Sequence, residues 1–305
     1  MLKRPMPSYC NVDGAIVPEA EAFVPVLDRG FLFGDSIYEV VRTRHGCLFA
    51  YREHFERLRA SGEALGMPLD LEDGQILRRV FATMAATGNA EHYVRVVVTR
   101  GTGTAPSIDL GCAGGPLRWV ILARPLPAGP SDVRLAVVDR LRNDRRALDP
   151  AVKSGNYLNN VLGLAEAKRA GATDCVLLNA EGHVTEASTS NVFVLVGDTW
   201  CTPPLRAGIL AGVTRALLLA FLRARGEVVL ERDLSRHDLE TADAVFTTST
   251  LRDAAIVTQL DGRTLPANAA TRKVEAIGGE FTEWCDARAR DVDEPTARTL
   301  AASAK

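Results

Sequence analysis

The stretch "DPAVKSGNYLNN", Asp149 to Asn160, sets one lysine, Lys153, between an apolar approach and the start of a helical pattern. Tyr157 follows four residues on, and no acid stands between Lys153 and Asn160. Lysine normally occupies solvated faces and is rarely buried unpaired. A lysine that acts as a Schiff-base nucleophile needs desolvation or neighbouring cations to lower its pKa, and a carbonyl partner. Taken alone, Lys153 reads as a surface loop residue, and three other segments shift that reading. "AGVTRA", Ala211 to Ala216, offers Gly212 for close backbone approach and the Thr214 hydroxyl where a helix begins. A helix N-terminus with free amides is a ready anion site. "FTTST", Phe246 to Thr250, puts hydroxyls at a strand end, and "VTEASTSNVF" carries Glu186 followed by small residues that leave room for a ligand.

The totals bound the function classes. At 305 residues the chain accommodates one large domain or two ordinary ones. Hydrophobic residues make up 47% and charged residues 24%, the balance of a soluble globular protein. With 36 basic against 38 acidic residues, nothing suggests a nucleic-acid partner. The start, "MLKRPMPSYC", lacks the apolar core of a signal peptide, and no apolar run is long enough for a membrane helix. Cys10, Cys47, Cys112, Cys175, Cys201 and Cys285 form no close metal or redox pair, which fits reduced thiols in a cytoplasm. Cys175, inside "TDCVLLN", reads as a buried strand residue.

Along the chain, "SYCNVDGAIV" reads as a hairpin turning at Asp13-Gly14, and "SIYEVVRT" as a strand turned by His45-Gly46 into "CLFAY". "REHFERLRASGEALG" and Leu71 to Thr87 carry helical spacing, and "HYVRVVVTRG" and "LRWVILAR" are strands. Residues 124–132, "RPLPAGPSD", are the linker candidate. Beyond them "NYLNNVLGLAEAKRAG" is a helix stopped by Gly171. Hairpins follow around Glu181-Gly182 and Gly197-Asp198, then an amphipathic helix, the strand "DAVFTTST", a last hairpin and a helix from about Thr271. The expectation is a mixed α/β (α+β) chain with domains at 1–123 and 133–287 and a frayed tail at 288–305.

In order, these segments resemble the fold-type IV, or class IV, pyridoxal-phosphate aminotransferases, from about Tyr9 to Trp284. The resemblance implies a two-domain enzyme with pyridoxal 5′-phosphate between a smaller N-terminal and a larger C-terminal domain. "KSGNYLNN" is similar to the family's Schiff-base segment, giving Lys153 the cofactor and Tyr157 its ring hydroxyl. "YREH" is similar to the phosphate-arginine motif, which puts Arg52 on the phosphate. "TEASTSN" resembles the segment whose glutamate, here Glu186, pairs with the pyridine nitrogen. "LAGVTR" resembles the phosphate cup, with Gly212, Val213 and Thr214 donating, and Thr250 matches the last phosphate ligand. "DRGFLFGDSIYEVVRT" looks like the substrate-side strand, which brings in Tyr38. Ala211 departs from the family, which often has proline there. The resemblance also implies a homodimer, and an amino acid and a 2-oxo acid as small-molecule partners.

The family's branches differ in where the substrate carboxylate is trapped. "FGDSIYEVV", "VTRGT" with Arg100, the close "KSGN" spacing and "STSNVF" lean toward D-amino-acid aminotransferases of the D-alanine type. The tyrosine of "KSGNYLNN" and the pair Tyr93 and Arg95 lean toward branched-chain L-amino-acid aminotransferases, whereas Val40 stands where those enzymes usually have glycine. The D-type is favoured, with Arg100 recognising the carboxylate because a planar guanidinium suits it bidentately. Aminodeoxychorismate lyase and (R)-amine transaminase are further alternatives on the same lysine.

Overall fold

The computed structural model describes residues 8–128 and 132–304, in two compact units. The first comprises the described residues up to Ala128, Lys153–Asn156 and the segment from Cys285 onward; the second comprises residues 132–152 and Tyr157–Trp284. The four residues around Lys153 therefore group with the N-terminal unit, although the sequence placed them in the C-terminal domain. Within the linker candidate, 124 and 125 still belong to a strand, and 129–131 lie outside the described residues.

The first unit is built on an antiparallel sheet of β1 (Tyr9–Val12), β2 (Ala15–Pro18), β3 (Ser36–Arg44), β4 (Cys47–Leu48), β5 (His92–Thr99) and β6 (Arg118–Pro125), in the order β2-β1-β6-β5-β3-β4. The turns read from the sequence close its hairpins. Asp13 and Gly14 have φ of 51° and 102°, and His45 and Gly46 have 50° and 77°, the positive values that two-residue hairpin turns require. A short helix α1 (Arg29–Phe33) precedes β3, and helices α2 (Tyr51–Ala64) and α3 (Asp73–Thr87) follow the β3–β4 hairpin.

The tail is a correction. Instead of fraying, it forms a π-helical turn at Ala289–Asp293 and a helix α8 (Glu294–Ser303) packed on α3. Its sequence lacks a stripe of large apolar residues, so periodicity gave no signal. Burial comes from small residues, with Ala289 and Ala297 fully buried, and from Gly74 of α3, where a Cβ would lie 2.5 Å from the Leu300 carbonyl oxygen. Its carboxylates fasten it: Asp293 accepts from the Ala50 amide at 2.8 Å and Glu294 from that of Leu48 at 3.0 Å.

The second unit contains β7 (Val133–Leu141), α4 (Leu158–Arg169), β8 (Asp174–Leu178), β9 (Val184–Ala187), β10 (Asn191–Val196), β11 (Thr199–Thr202) and α5 (Val213–Ala224). It continues with β12 (Val228–Glu231), α6 (Arg236–Thr241), β13 (Ala244–Ser249), β14 (Asp253–Leu260), β15 (Arg263–Thr264) and most of α7 (Ala269–Arg288). The strands run β12-β11-β10-β13-β14-β7-β8-β9, and β9 pairs back onto β10 through Asn191 and Glu186. The path thus closes into a ring. Its core includes Val133, Leu135, Val176, Val194, Val245 and Val257. Cys175 is fully buried against α4, and burial pushes its thiol up to about 12.

Candidate active site

In the first unit, residues 153–156 lie along the start of β3 as an added rung. Tyr38 N donates to Lys153 O at 3.0 Å and Gly155 N to Ser36 O at 2.7 Å, with Ser154 bridged to Ile37. Lys153 N donates to Ser61 Oγ of α2 at 3.2 Å. The lysine is therefore held through its backbone between a strand and a helix. Its Nζ stands 4.5 Å from the centroid of the Tyr38 ring. Arg95 Cζ lies 3.8 Å from the same centroid. Register explains the second contact: β5 pairs Arg95 with Val40 and Val97 with Tyr38, so Tyr93, Arg95 and Tyr38 share a face. A cation over an aromatic face is attracted by the ring quadrupole, which makes Tyr38 a common platform for both groups.

Two of the arginines of α2, Arg52 and Arg57, differ sharply. Arg52, in the first turn, is exposed and donates to Tyr51 Oη at 3.2 Å. Five residues on, Arg57 lies about 140° round the helix from it. It shares a stripe with His54 and Ser61, the residue that holds the Lys153 backbone. Arg57 grips Glu39 of β3 with Nε to Oε1 at 2.7 Å and Nη2 to Oε2 at 2.8 Å. His54 Nδ1 stands 2.7 Å from Glu39 Oε2 and is the donor of that bond, since a carboxylate only accepts. Burial alone would raise the Glu39 pKa, but the Arg57 charge and the bonds from Arg57 and His54 outweigh it and hold the group at about 2. Burial lowers the pKa of His54.

Arg100, the expected carboxylate ligand, is committed elsewhere. Nε bonds Asp35 at 2.8 Å, Nη1 the Gly66 carbonyl at 3.0 Å and Nη2 the Leu65 carbonyl at 2.7 Å. It closes the C-terminal end of α2, where helix carbonyls lack intrahelical partners. All three of its guanidinium nitrogens are thus engaged within the fold.

In the second unit, Glu186 is buried in β9. Arg142 holds Oε1 with Nε at 3.0 Å and Nη2 at 2.9 Å. Oε2 accepts from Leu210 N at 3.0 Å and Asn191 Nδ2 at 3.2 Å. Tyr157 occupies the N-cap position of α4, and Gly212 that of α5, ahead of Val213 and the buried Thr214. No side chain caps α5, so its first amides remain available to an anion. Thr250 follows β13 in a turn. The buried hydroxyls of Ser190 and Thr248 have no hydrogen-bond partner. An uncapped helix start, unsatisfied buried hydroxyls and a fixed carboxylate fit a phosphorylated heteroaromatic ring such as pyridoxal 5′-phosphate. No group of three or more His, Cys, Asp or Glu suited to a metal occurs among the described residues. Nor, among them, is any helix long and apolar enough to cross a membrane.

Sequence reasoning missed Glu39, His54, Arg57, Arg142 and Asn191. Glu39 shares strand parity with Ile37 and Val41, a core face on which a glutamate is unexpected; that misfit was the available signal.

Residues 36–260 match the family profile described as Amino-transferase class IV. The chain is 34% identical to a putative branched-chain-amino-acid aminotransferase of Methanocaldococcus jannaschii, over 85% of this chain and 90% of that protein. It is 30% identical to a D-alanine aminotransferase of Bacillus licheniformis, over 84% and 90%. Its fold superposes on the branched-chain aminotransferase of Thermoproteus uzoniensis, solved with norvaline, with a TM-score of 0.85 and 28% identity over 95% and 98% of the two chains. The chain thus belongs to the class IV aminotransferases, enzymes that transfer amino groups with pyridoxal 5′-phosphate as cofactor.

Proposed function

We propose that this aminotransferase acts on aliphatic α-amino acids, with branched-chain L-amino acids as its preferred donors and 2-oxo acids as acceptors. One observation carries the reading: Tyr38 gathers Arg95 and the Lys153 amine over one ring, 3.8 Å and 4.5 Å from its centroid. Arg95 replaces Arg100 as the group facing the substrate carboxylate, and the Tyr93 and Arg95 pair leans toward the branched-chain type. The relative from Methanocaldococcus jannaschii supports the same choice. Val40 and the D-alanine aminotransferase relatives favour the second reading, a D-amino-acid enzyme.

In this reading Lys153 binds the cofactor covalently and, once displaced, moves a proton at the substrate α-carbon. Tyr157 binds the ring hydroxyl and Glu186 the ring nitrogen. Gly212, Val213, Thr214 and Thr250 anchor the phosphate. The helical azimuth of Arg57, shared with Ser61, makes it a better phosphate arginine than the exposed Arg52. When bound, the cofactor supplies an electron sink for the α-carbanion.

A cytoplasmic homodimer completes the proposal. Phe23, Phe31 and Ile108 are 78%, 68% and 81% exposed, and Arg29 bonds the carbonyls of Ser107 and Ile108, which draws that loop toward α1. These exposed apolar side chains support a self-association face. Light scattering of the cofactor-loaded protein tests it, with a monomer mass as the contrary result.

Single half-reactions with L-leucine, D-alanine and (R)-1-phenylethylamine, followed by absorbance, test the substrate. L-Leucine should react at least about tenfold faster, a barrier difference near 1.4 kcal/mol. A faster reaction with D-alanine would establish the second reading.

A further inference from the structure

We propose that Asn191 is a positioning residue that ties Glu186 to the N-terminus of α5, so that one side chain sets the spacing between the ring and phosphate ends of the cofactor. The inference rests on the reading that Glu186 and the α5 amides meet the cofactor.

Asn191 is buried in β10, and its backbone faces Glu186 in the rung that closes the strand ring. Both amide hydrogens are used: Nδ2 donates to Glu186 Oε2 at 3.2 Å and to Leu210 O at 3.1 Å. A flipped amide would set its oxygen against two acceptors, so a single orientation is satisfied. That orientation aims Oδ1 at Gly212. A Cβ on Gly212 would lie 1.9 Å from Asn191 Oδ1 and 3.1 Å from its Cγ. Gly212 has φ of −63° and ψ of 129°, values open to any residue. Backbone freedom is therefore not what glycine provides here; the amide of Asn191 fills the space a side chain would need. Leu210, two residues before Gly212, adds its own amide to the same Glu186 oxygen. Glu186, Asn191 and the approach to α5 are thus joined in one hydrogen-bonded unit.

A double-mutant cycle on Gly212→Ala and Asn191→Ala tests the tie, read as the dissociation constant of pyridoxal 5′-phosphate for the apoenzyme and as the visible spectrum of the loaded protein. In the native background Gly212→Ala should weaken cofactor binding at least about tenfold, because its methyl displaces the amide. In the Asn191→Ala background the same change should cost less than about threefold, a non-additivity that independent sites do not show. Asn191→Ser, smaller and still polar, repeats the test if Asn191→Ala melts early, and circular dichroism confirms that each variant is folded. Additive losses would overturn the tie while leaving the role of Glu186 intact. Unchanged binding and spectrum in all these variants and in Glu186→Gln would overturn both.

Discussion

Glu39 in the first unit and Glu186 in the second each meet an arginine side chain, at 2.7 Å and 2.9 Å respectively. Their remaining partners differ in kind. Glu39 is ringed by the ionisable side chains Arg57 and His54, both from one helix. Glu186 takes its other bonds from a backbone amide and a neutral carboxamide, neither of which titrates. The first arrangement is an ion cluster that fastens α2 to β3 and orients Arg57. The second mounts a carboxylate on the closing rung of a sheet, where its direction is fixed. A buried carboxylate with an arginine partner is therefore not by itself a sign of function; what holds the other oxygen separates the two cases.

The largest expected effect falls on stability at Glu39. Glu39→Gln leaves Arg57 short of its countercharge, and breaking a buried pair costs about 3–5 kcal/mol. Because the folded-state pKa lies at about 2, below the ordinary value, the native protein keeps this stabilisation above pH ~4.5 and loses it as pH falls toward 2. The gap between native and variant in urea unfolding should accordingly narrow below about pH 4. A constant gap across that range would break the ionic reading of the cluster.

Glu186→Gln should act on rate instead. Single-turnover transamination is expected to slow at least about tenfold, with the midpoint of thermal unfolding moved by less than about 4 °C. A variant within threefold of native rate would leave Glu186 as a structural residue like Glu39.

The arginines repeat the contrast more gently. Arg100→Ala should cost about 1–3 kcal/mol of stability, from the orphaned helix-end carbonyls and Asp35, with KM for the amino acid changed less than threefold. Arg95→Ala should raise KM at least about tenfold with little loss of stability. The opposite pattern would restore Arg100 as the carboxylate ligand.

Asp293 gives the smallest effect and a third kind of buried carboxylate. Burial raises its pKa, with only partial relief from the Ala50 amide and the Arg288 charge. Its ionised form is disfavoured in the fold, so stability from this group is present at low pH and lost as pH rises through the folded value. Asp293→Asn should stay within about 1 kcal/mol of native and gain on it between pH 4 and 7. A growing deficit over that interval would show that the charge stabilises the tail.

Much of this was written locally in the chain. Turn pairs such as Asp13-Gly14 and Asp261-Gly262 carry their own backbone signature, and each falls where a hairpin closes. Lys153, Tyr157, Glu186 and the Gly212–Thr214 segment stand in short motifs, so a single sequence suffices to nominate them. Arg142 meets Glu186 across 44 residues, and nothing near either predicts it. Arg57 looks like any helical arginine until β3 places Glu39 beside it. Arg100 shows the converse: a loop arginine in sequence becomes, once folded, the closure of a helix end. Small-residue packing hid α8, because alanine and glycine leave no hydrophobic stripe for periodicity to detect.

In the proposed reaction Lys153 is the residue that carries the cofactor. The chain has five lysines, Lys3, Lys153, Lys168, Lys273 and Lys305. Borohydride reduction of the cofactor-loaded protein, followed by peptide mapping, should place one pyridoxyl label on Lys153 alone. In Lys153→Ala both the label and transamination should disappear, while cofactor still binds reversibly. A label on any other lysine, or transamination surviving in Lys153→Ala, would contradict the account.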